Sequence, residues 1–386
     1  MLLNKADVKI SHLQLAALLA TSALFTMTAT LQGSANLSMS RFISLSICGI
    51  LLLLAYAPLA IFTAKSADSP LRNNNHVLKW IFALLILSRL VYTILLTMLQ
   101  LKFFVTKTIM PYLSPLAFII IVLFVVAYSA DKGVQATARV APVAFILCAF
   151  AIVTVSFLAW DSVNVTRIYL PLLNGSGWFS DAVIEAVGND EIFFFAVLCG
   201  FVRGKEKREC ERGQAYKSIL YYLPLVIAAG LWLNFLFNAV FGRVLSNVFY
   251  PMQGVAALSS LNFIERMDGV FVTAAIIAGM VKLIVAAVCV RTLVFELNRC
   301  RRTSQKEAQN RFMKIIAALI LAATAVCVYA VLGNEEPLMS GRAGKIKPLN
   351  IYFTVTLIVT AVVMPIASMA FKRVRKGLCL KDEKTV

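Results

Sequence analysis

Residues Trp178–Val202 read WFSDAVIEAVGNDEIFFFAVLCGFV, an apolar run that carries four acids, Asp181, Glu185, Asp190 and Glu191. Gly188-Asn189-Asp190 is a turn signature, because glycine tolerates left-handed backbone and Asn and Asp bond the amides of a starting helix. The spacing predicts a broken helix, with an amphipathic half ending near Val187 and a second half beginning near Glu191. In the other arrangement Asp181 and Glu185 lie in a loop helix, and the membrane span begins at Asp190. Glu191 to Val202 would then extend only about 18 Å, against a hydrocarbon core about 30 Å thick. That shortfall favours the break.

Outward from this segment the chain is apolar throughout. With 60% hydrophobic residues over 386 positions and a mean hydropathy of +0.83, it holds more apolar surface than one soluble core can bury. Runs of about 20 apolar residues, enough to cross a bilayer as helix, begin near His12, Ile43, Val77, Tyr112, Arg139, Asp181, Tyr221, Gly269, Phe312 and Ile351. The expectation is an all-α polytopic membrane protein of ten transmembrane helices. No linker or soluble module is visible, so residues 1–386 read as a single transmembrane transporter-like domain.

The net charge of +18 would suit a nucleic-acid surface, but no segment resembles a nucleic-acid module. The basic residues instead cluster on one side of the spans, from Arg203 to Lys217, Arg291 to Lys314 and Lys372 to Lys384. The positive-inside rule then puts both termini in the cytoplasm. Cysteines agree: Cys48, Cys148, Cys199, Cys289 and Cys327 fall in apolar helices, and Cys210, Cys300 and Cys379 in cytoplasmic connections. No disulfide framework is implied, and with only His12 and His76 neither a metal site nor a cofactor is expected. The first apolar run, ending in ATLQGSA, could pass for a signal peptide, but nine spans follow and its leading region is weakly basic. It reads as a retained helix.

Thr21, Ser22, Thr26, Thr28 and Thr30 occupy the second half of that helix. Ser22, Thr26 and Thr30 share a face at i, i+4 spacing, where hydroxyls bond carbonyls one turn back and loosen a helix. A small-residue packing stripe explains them equally well. If the first and sixth helices are both interrupted, the pattern is a five-plus-five inverted repeat with a solute site at the midplane.

Two cations lie deep in other spans. Arg89, in LLILSRLVYTILL, is about 18 Å from either end of its helix and must meet an anion, water or backbone carbonyls. Asp190 and Glu191 are its nearest plausible anions, and Tyr92 shares its face. Lys282 ends the run NFIERMDGVFVTAAIIAGMVK from Asn262. It lies deeper than a lysine stem of about 6 Å covers without bending the membrane. Acids at the start of an inner half-helix seat an ammonium better than a carboxylate. An amino-acid zwitterion would then turn its amine to the sixth helix and its carboxylate to exposed amides of the first. Alternatively Asp190 merely caps the half-helix, which leaves Glu191 unassigned.

FIERMDGVFVTAAIIAGMVK from Phe263, GNDEIFFFAVLCGFV from Gly188 and ISHLQLAALLATSALF from Ile10 together resemble the spore germination permease family. These are the B subunits of nutrient germinant receptors, within the amino acid–polyamine–organocation transporters. The resemblance spans essentially the whole length. It departs from the family where Leu24 to Leu31 lacks the usual glycine, and where no acid accompanies Pro251 and Gln253. It implies broken helices 1 and 6, and a substrate site of Phe25, Thr26, Met27, Thr28, Arg89, Tyr92, Gly188, Asn189, Asp190 and Glu191. It also implies that Lys282 stands where related transporters hold a sodium ion near the eighth helix. The function implied is germinant sensing: a small nutrient such as an amino acid is bound, and A-type and C-type (lipoprotein) subunits receive the signal in the spore inner membrane. A proton-coupled amino-acid transporter is the alternative. An enzyme is not expected, since no nucleophile and base are paired at useful spacing.

The topology has a direct check. A membrane-impermeant maleimide should label Cys210, Cys300 and Cys379 in inverted vesicles but not in intact cells, and labelling of any one from outside would overturn the orientation.

Overall fold

Long uninterrupted apolar stretches with few prolines fold as helices, because in lipid each backbone N–H and C=O must be satisfied within the segment. The computed structural model describes residues 10–29, 39–66, 70, 76–108, 114–168, 177–202, 214–248, 250–259, 268–298 and 354–369. The helices are α1 His12–Ala29, α2 Met39–Lys65, α3 His76–Thr108, α4 Pro115–Lys132, α5 Val134–Leu158 and α6 Gly177–Val187. They continue as α7 Glu191–Leu198, α8 Tyr216–Phe241, α9 Pro251–Leu258 and α10 Asp268–Asn298, then α11 Thr354–Met369, which contains a π-helical turn at Val359–Val363. The span expected near Phe312, the loop from Phe263 to Arg266, and Cys210, Cys300, Cys327 and Cys379 lie outside the described residues.

Among the described residues six helices are long and apolar enough to cross a membrane: α1, α2, α3, α5, α8 and α10. The protein is an all-α polytopic membrane protein. Local signals set several ends. Ser114 accepts a hydrogen bond from the Ala117 amide at 3.2 Å ahead of Pro115, a capped helix start. Gly133, at φ 85°, is the sole residue between α4 and α5, and only glycine takes that backbone without strain.

Contacts at the helix ends join elements far apart in sequence. At the start of α1, Ile10 donates its amide to Phe201 O at 3.0 Å and Ser218 Oγ donates to His12 O at 2.8 Å. Lys79 Nζ near the start of α3 donates to Glu296 O near the end of α10 at 2.8 Å, and Arg291 Nη1 donates to Ala130 O near the end of α4 at 2.6 Å. Arg167 Nη1 donates to Val240 O near the end of α8 at 2.8 Å.

The core gathers on α1, α7 and α10. All eight residues of α7 are buried, and α10 packs on α1, α3, α4 and α5, while α2 packs on α6 and α8. A helix apolar and buried on every side belongs in the centre of a bundle. The outer helices show the reverse: Phe124 on α4 is 74% exposed and Phe157 on α5 is 79% exposed. Large apolar side chains displayed in rows along α4 and α5 suit lipid rather than water.

The sixth span is interrupted as expected, with α6 ending at Val187 and α7 starting at Glu191. The turn is made differently from the expectation: among the described residues positive φ occurs at Gly133 and Gly242, not at Gly188. The first span departs further. It is helical without interruption from His12 to Ala29, so the break expected within Leu24 to Leu31 does not fall in its described part. The hydroxyls are compatible with this, since Thr26 bonds Ser22 O at 3.2 Å and Thr28 bonds Leu24 O at 2.8 Å. They sit on the helical ladder without opening it.

The crossing of α1 and α10 depends on Gly279. A Cβ there would stand 2.7 Å from Phe25 Cε2 and 3.0 Å from a methyl of Leu101, with Phe25 fully buried. Gly279→Val should therefore destabilise the protein by about 1–3 kcal/mol through overpacking. Gly230→Ala, where a Cβ meets Met27 at an ordinary 3.5 Å, should be tolerated. Thermal unfolding of both variants in detergent checks the contrast, and equal melting temperatures would refute it.

Candidate functional site

Four ionisable side chains meet in the middle of the bundle. Arg89 comes from the middle of α3, Asp190 and Glu191 from the break between α6 and α7, and Lys282 from the middle of α10; they are only 2%, 5%, 2% and 2% exposed, respectively. The break makes this possible, because a half-helix that begins inside the membrane presents its first residues at the centre. Asp190 occupies the N-cap position of α7, but its side chain makes no capping hydrogen bond. Its carboxylate turns to the cations instead.

The two cations divide the oxygens of Asp190. Arg89 donates to Oδ1 from Nε at 3.0 Å and from Nη2 at 2.8 Å, and Nη2 also meets Val187 O at 3.3 Å. Lys282 Nζ lies 3.6 Å from Oδ2 of Asp190 and 3.5 Å from Oε1 of Glu191. The same ammonium donates to Thr26 Oγ1 at 2.5 Å, and Ser22 Oγ donates to Glu191 Oε1 at 2.7 Å. A closed polar ring thus joins α1, α7 and α10, with α3 attached through Arg89. The guanidinium of Arg89 also lies 5.5 Å from the ring centres of both Tyr92 and Phe193, within the range of cation–π attraction.

Two positive and two negative charges sum to zero. Buried charges survive only when paired and hydrogen-bonded, and removing one partner leaves an uncompensated charge that costs about 3–5 kcal/mol. The arrangement has little slack in its charge balance.

The structure separates the residues expected at the substrate site. Thr26, Arg89, Tyr92, Asp190 and Glu191 come together, and Lys282 joins them. Phe25 packs toward Gly279 and Met27 over Gly230, while the Thr28 hydroxyl is taken by carbonyls of its own helix. Gly188 is exposed. Asn189 points into a different contact: Tyr56 of α2 donates to its Oδ1 at 3.1 Å, and its Nδ2 donates to Tyr222 of α8 at 3.2 Å. Amides of the first helix were the expected seat for a ligand carboxylate. From Ala16 to Ala29 they belong to a continuous helix, whose amides bond carbonyls one turn earlier.

Sequence reasoning missed three participants. Ser22 was visible as the i−4 neighbour of Thr26, a face on which Glu191 now sits. Tyr56 and Tyr222 gave no local signal, since a tyrosine in an apolar helix is an ordinary core residue.

No family model matches the sequence, and no curated protein matches it. Solved structures do. A substrate-bound, outward-open Na+-coupled sialic acid symporter aligns over 95% of this chain and 80% of its own, with a TM-score of 0.62 at 9% identity. Mhp1, a nucleobase-cation-symport-1 family transporter in a closed conformation with bromovinylhydantoin bound, aligns over 96% of this chain and 94% of its own, with a TM-score of 0.57 at 12% identity. The chain therefore has the fold of these secondary transporters.

A double-mutant cycle tests the charge balance. Arg89→Gln and Asp190→Asn should each destabilise the protein by about 3–5 kcal/mol, and the double variant should recover much of that loss because it is again neutral. Thermal unfolding of the four proteins measures it, and purely additive losses would show that the pair is not coupled.

Proposed function

We propose that this protein is a germinant-sensing membrane subunit that binds a small nutrient, such as an amino acid, at the buried charge cluster and signals to partner subunits. The observation that carries the reading is the coincidence of four buried charges with the helix break. Charge inside a membrane is expensive and is kept where it works, and a secondary-transporter fold holds its solute at interrupted helices near the midplane. The sequence resemblance to spore germination permeases supports sensing, with A-type and C-type lipoprotein subunits as partners in the spore inner membrane. In this reading residues 1–386 act as one membrane domain with both termini cytoplasmic.

Lys282 takes the role of a fixed cation. Its ammonium ties α10 to α1 through Thr26 and to α7 through the acids, which is the bridging that a recruited sodium ion would otherwise supply. Activity is then independent of sodium.

A proton-coupled amino-acid transporter is the second reading, favoured by the fold shared with transporters. Uptake of labelled amino acids by the purified protein in vesicles separates the two, since accumulation would establish transport and its absence alongside specific binding would support sensing.

Glu191→Gln should weaken the nutrient response several-fold per molecule present in the membrane, with abundance measured alongside because the change leaves one buried positive charge uncompensated. Lys282→Met, close in volume but uncharged, should lower the response or assembly, with partial rescue by added sodium. Normal responses from both variants, or wild-type activity that rises when sodium replaces potassium at equal ionic strength, would remove the basis for these roles.

A further inference from the structure

We propose that Arg89 is the group that binds the ligand's carboxylate, and that it does so by exchanging its ion-pair partner. The inference rests on the reading of this cluster as the ligand site. It departs from the arrangement expected of a broken first helix, in which exposed backbone amides would hold the anion. Here α1 is helical from His12 to Ala29, so from Ala16 onward its amides bond carbonyls one turn earlier, and an anion on the α1 side of the cluster needs a donor other than those amides.

Two cations are at hand, and their surroundings differ. Lys282 Nζ has oxygens on two helices around it: Thr26 Oγ1, Asp190 Oδ2 and Glu191 Oε1. Thr26 accepts its hydrogen bond, and the two carboxylates at 3.6 and 3.5 Å hold it by charge. It is also the bridge between α1, α7 and α10, and moving it would loosen all three. Arg89 presents a planar fork whose geometry matches a carboxylate and accepts it in a bidentate pair. The rings of Tyr92 and Phe193 hold the guanidinium at 5.5 Å each, a support that persists while one carboxylate replaces another.

The exchange conserves charge. In the structure Arg89 pairs with Asp190, which also faces Lys282, and Lys282 also faces Glu191. A zwitterion enters with one positive and one negative end. Its carboxylate takes the fork of Arg89, its ammonium takes Asp190, and Lys282 stays with Glu191 and Thr26. The cluster remains neutral before and after, so a ligand without net charge meets the smallest electrostatic penalty. An amino-acid amide or decarboxylated amine carries an unbalanced positive charge and leaves Arg89 with no anion to gain.

The test uses the full-length protein in nanodiscs and direct binding of the twenty standard amino acids, each binder being compared with its amide and its decarboxylated amine. The wild type should prefer the acid by about tenfold or more, as sites built around a specific polar partner do. In Arg89→Gln that preference should collapse toward parity, and Arg89→Lys should retain part of it. Should Arg89→Gln fail to fold, the neutral double variant Arg89→Gln/Asp190→Asn provides the same readout. A wild type that binds amides as tightly as acids overturns the inference. So does a variant lacking Arg89 that keeps the wild-type preference, although nutrient binding itself would then stand. A wild type that binds no amino acid brings down both the ligand class and this assignment.

Discussion

Four charges buried at the centre of the helix bundle must neutralise one another, and the packing of the central helices follows from that requirement. Arg89, Asp190, Glu191 and Lys282 are each almost wholly buried, and each would be prohibitive alone. Their mutual pairing fixes the relative heights of α3, α7 and α10, and Ser22 and Thr26 bring α1 to the same level. The close α1–α10 crossing over Gly279 serves this end, because a side chain there would hold Phe25 away. Charge pairing and apolar packing thus specify one arrangement.

The same helices are joined again at the face that holds the start of α1. The Ile10 amide meets Phe201 O just beyond α7, and Ser218 at the start of α8 meets His12 O. Both α1 and α7 are therefore tied at two levels, by charge at the centre and by hydrogen bonds at one end. Under the proposed ligand exchange, a shift of the charged cluster would be carried along α1 and α7 to those end contacts. That is the form of two-state coupling a sensor and a transporter share.

Much of this site could be read from residues alone. Arg89 stands too far from either end of its helix to snorkel, so a buried partner was required, and the acids of the sixth span were its plausible match. Asp190 and Glu191 stood out because Gly188-Asn189 interrupts an apolar run whose second half is too short to cross alone. Lys282 stood out by the same depth argument as Arg89, yet its pairing with both acids was not legible, since nothing local to α10 says which residues of α7 it faces. The contact of Asn189 with Tyr56 and Tyr222 was equally hidden, because the apolar helices carrying those tyrosines look like ordinary core.

The sequence by itself determined the class of the protein and the location of its unusual residues. Hydropathy and span length act locally and leave a lipid-spanning helix as the available outcome, and a charge deep in such a helix is conspicuous wherever it lies. Only the tertiary structure decided which charges meet, that the first helix continues through Ala29, and that Asp190 faces the cations instead of capping α7. The physical reason is that these outcomes depend on how helices far apart in sequence rotate and cross. Competing local possibilities, such as a loosened helix against a bonded threonine or a cap against an ion pair, differ by a few kcal/mol. The surrounding bundle supplies that difference.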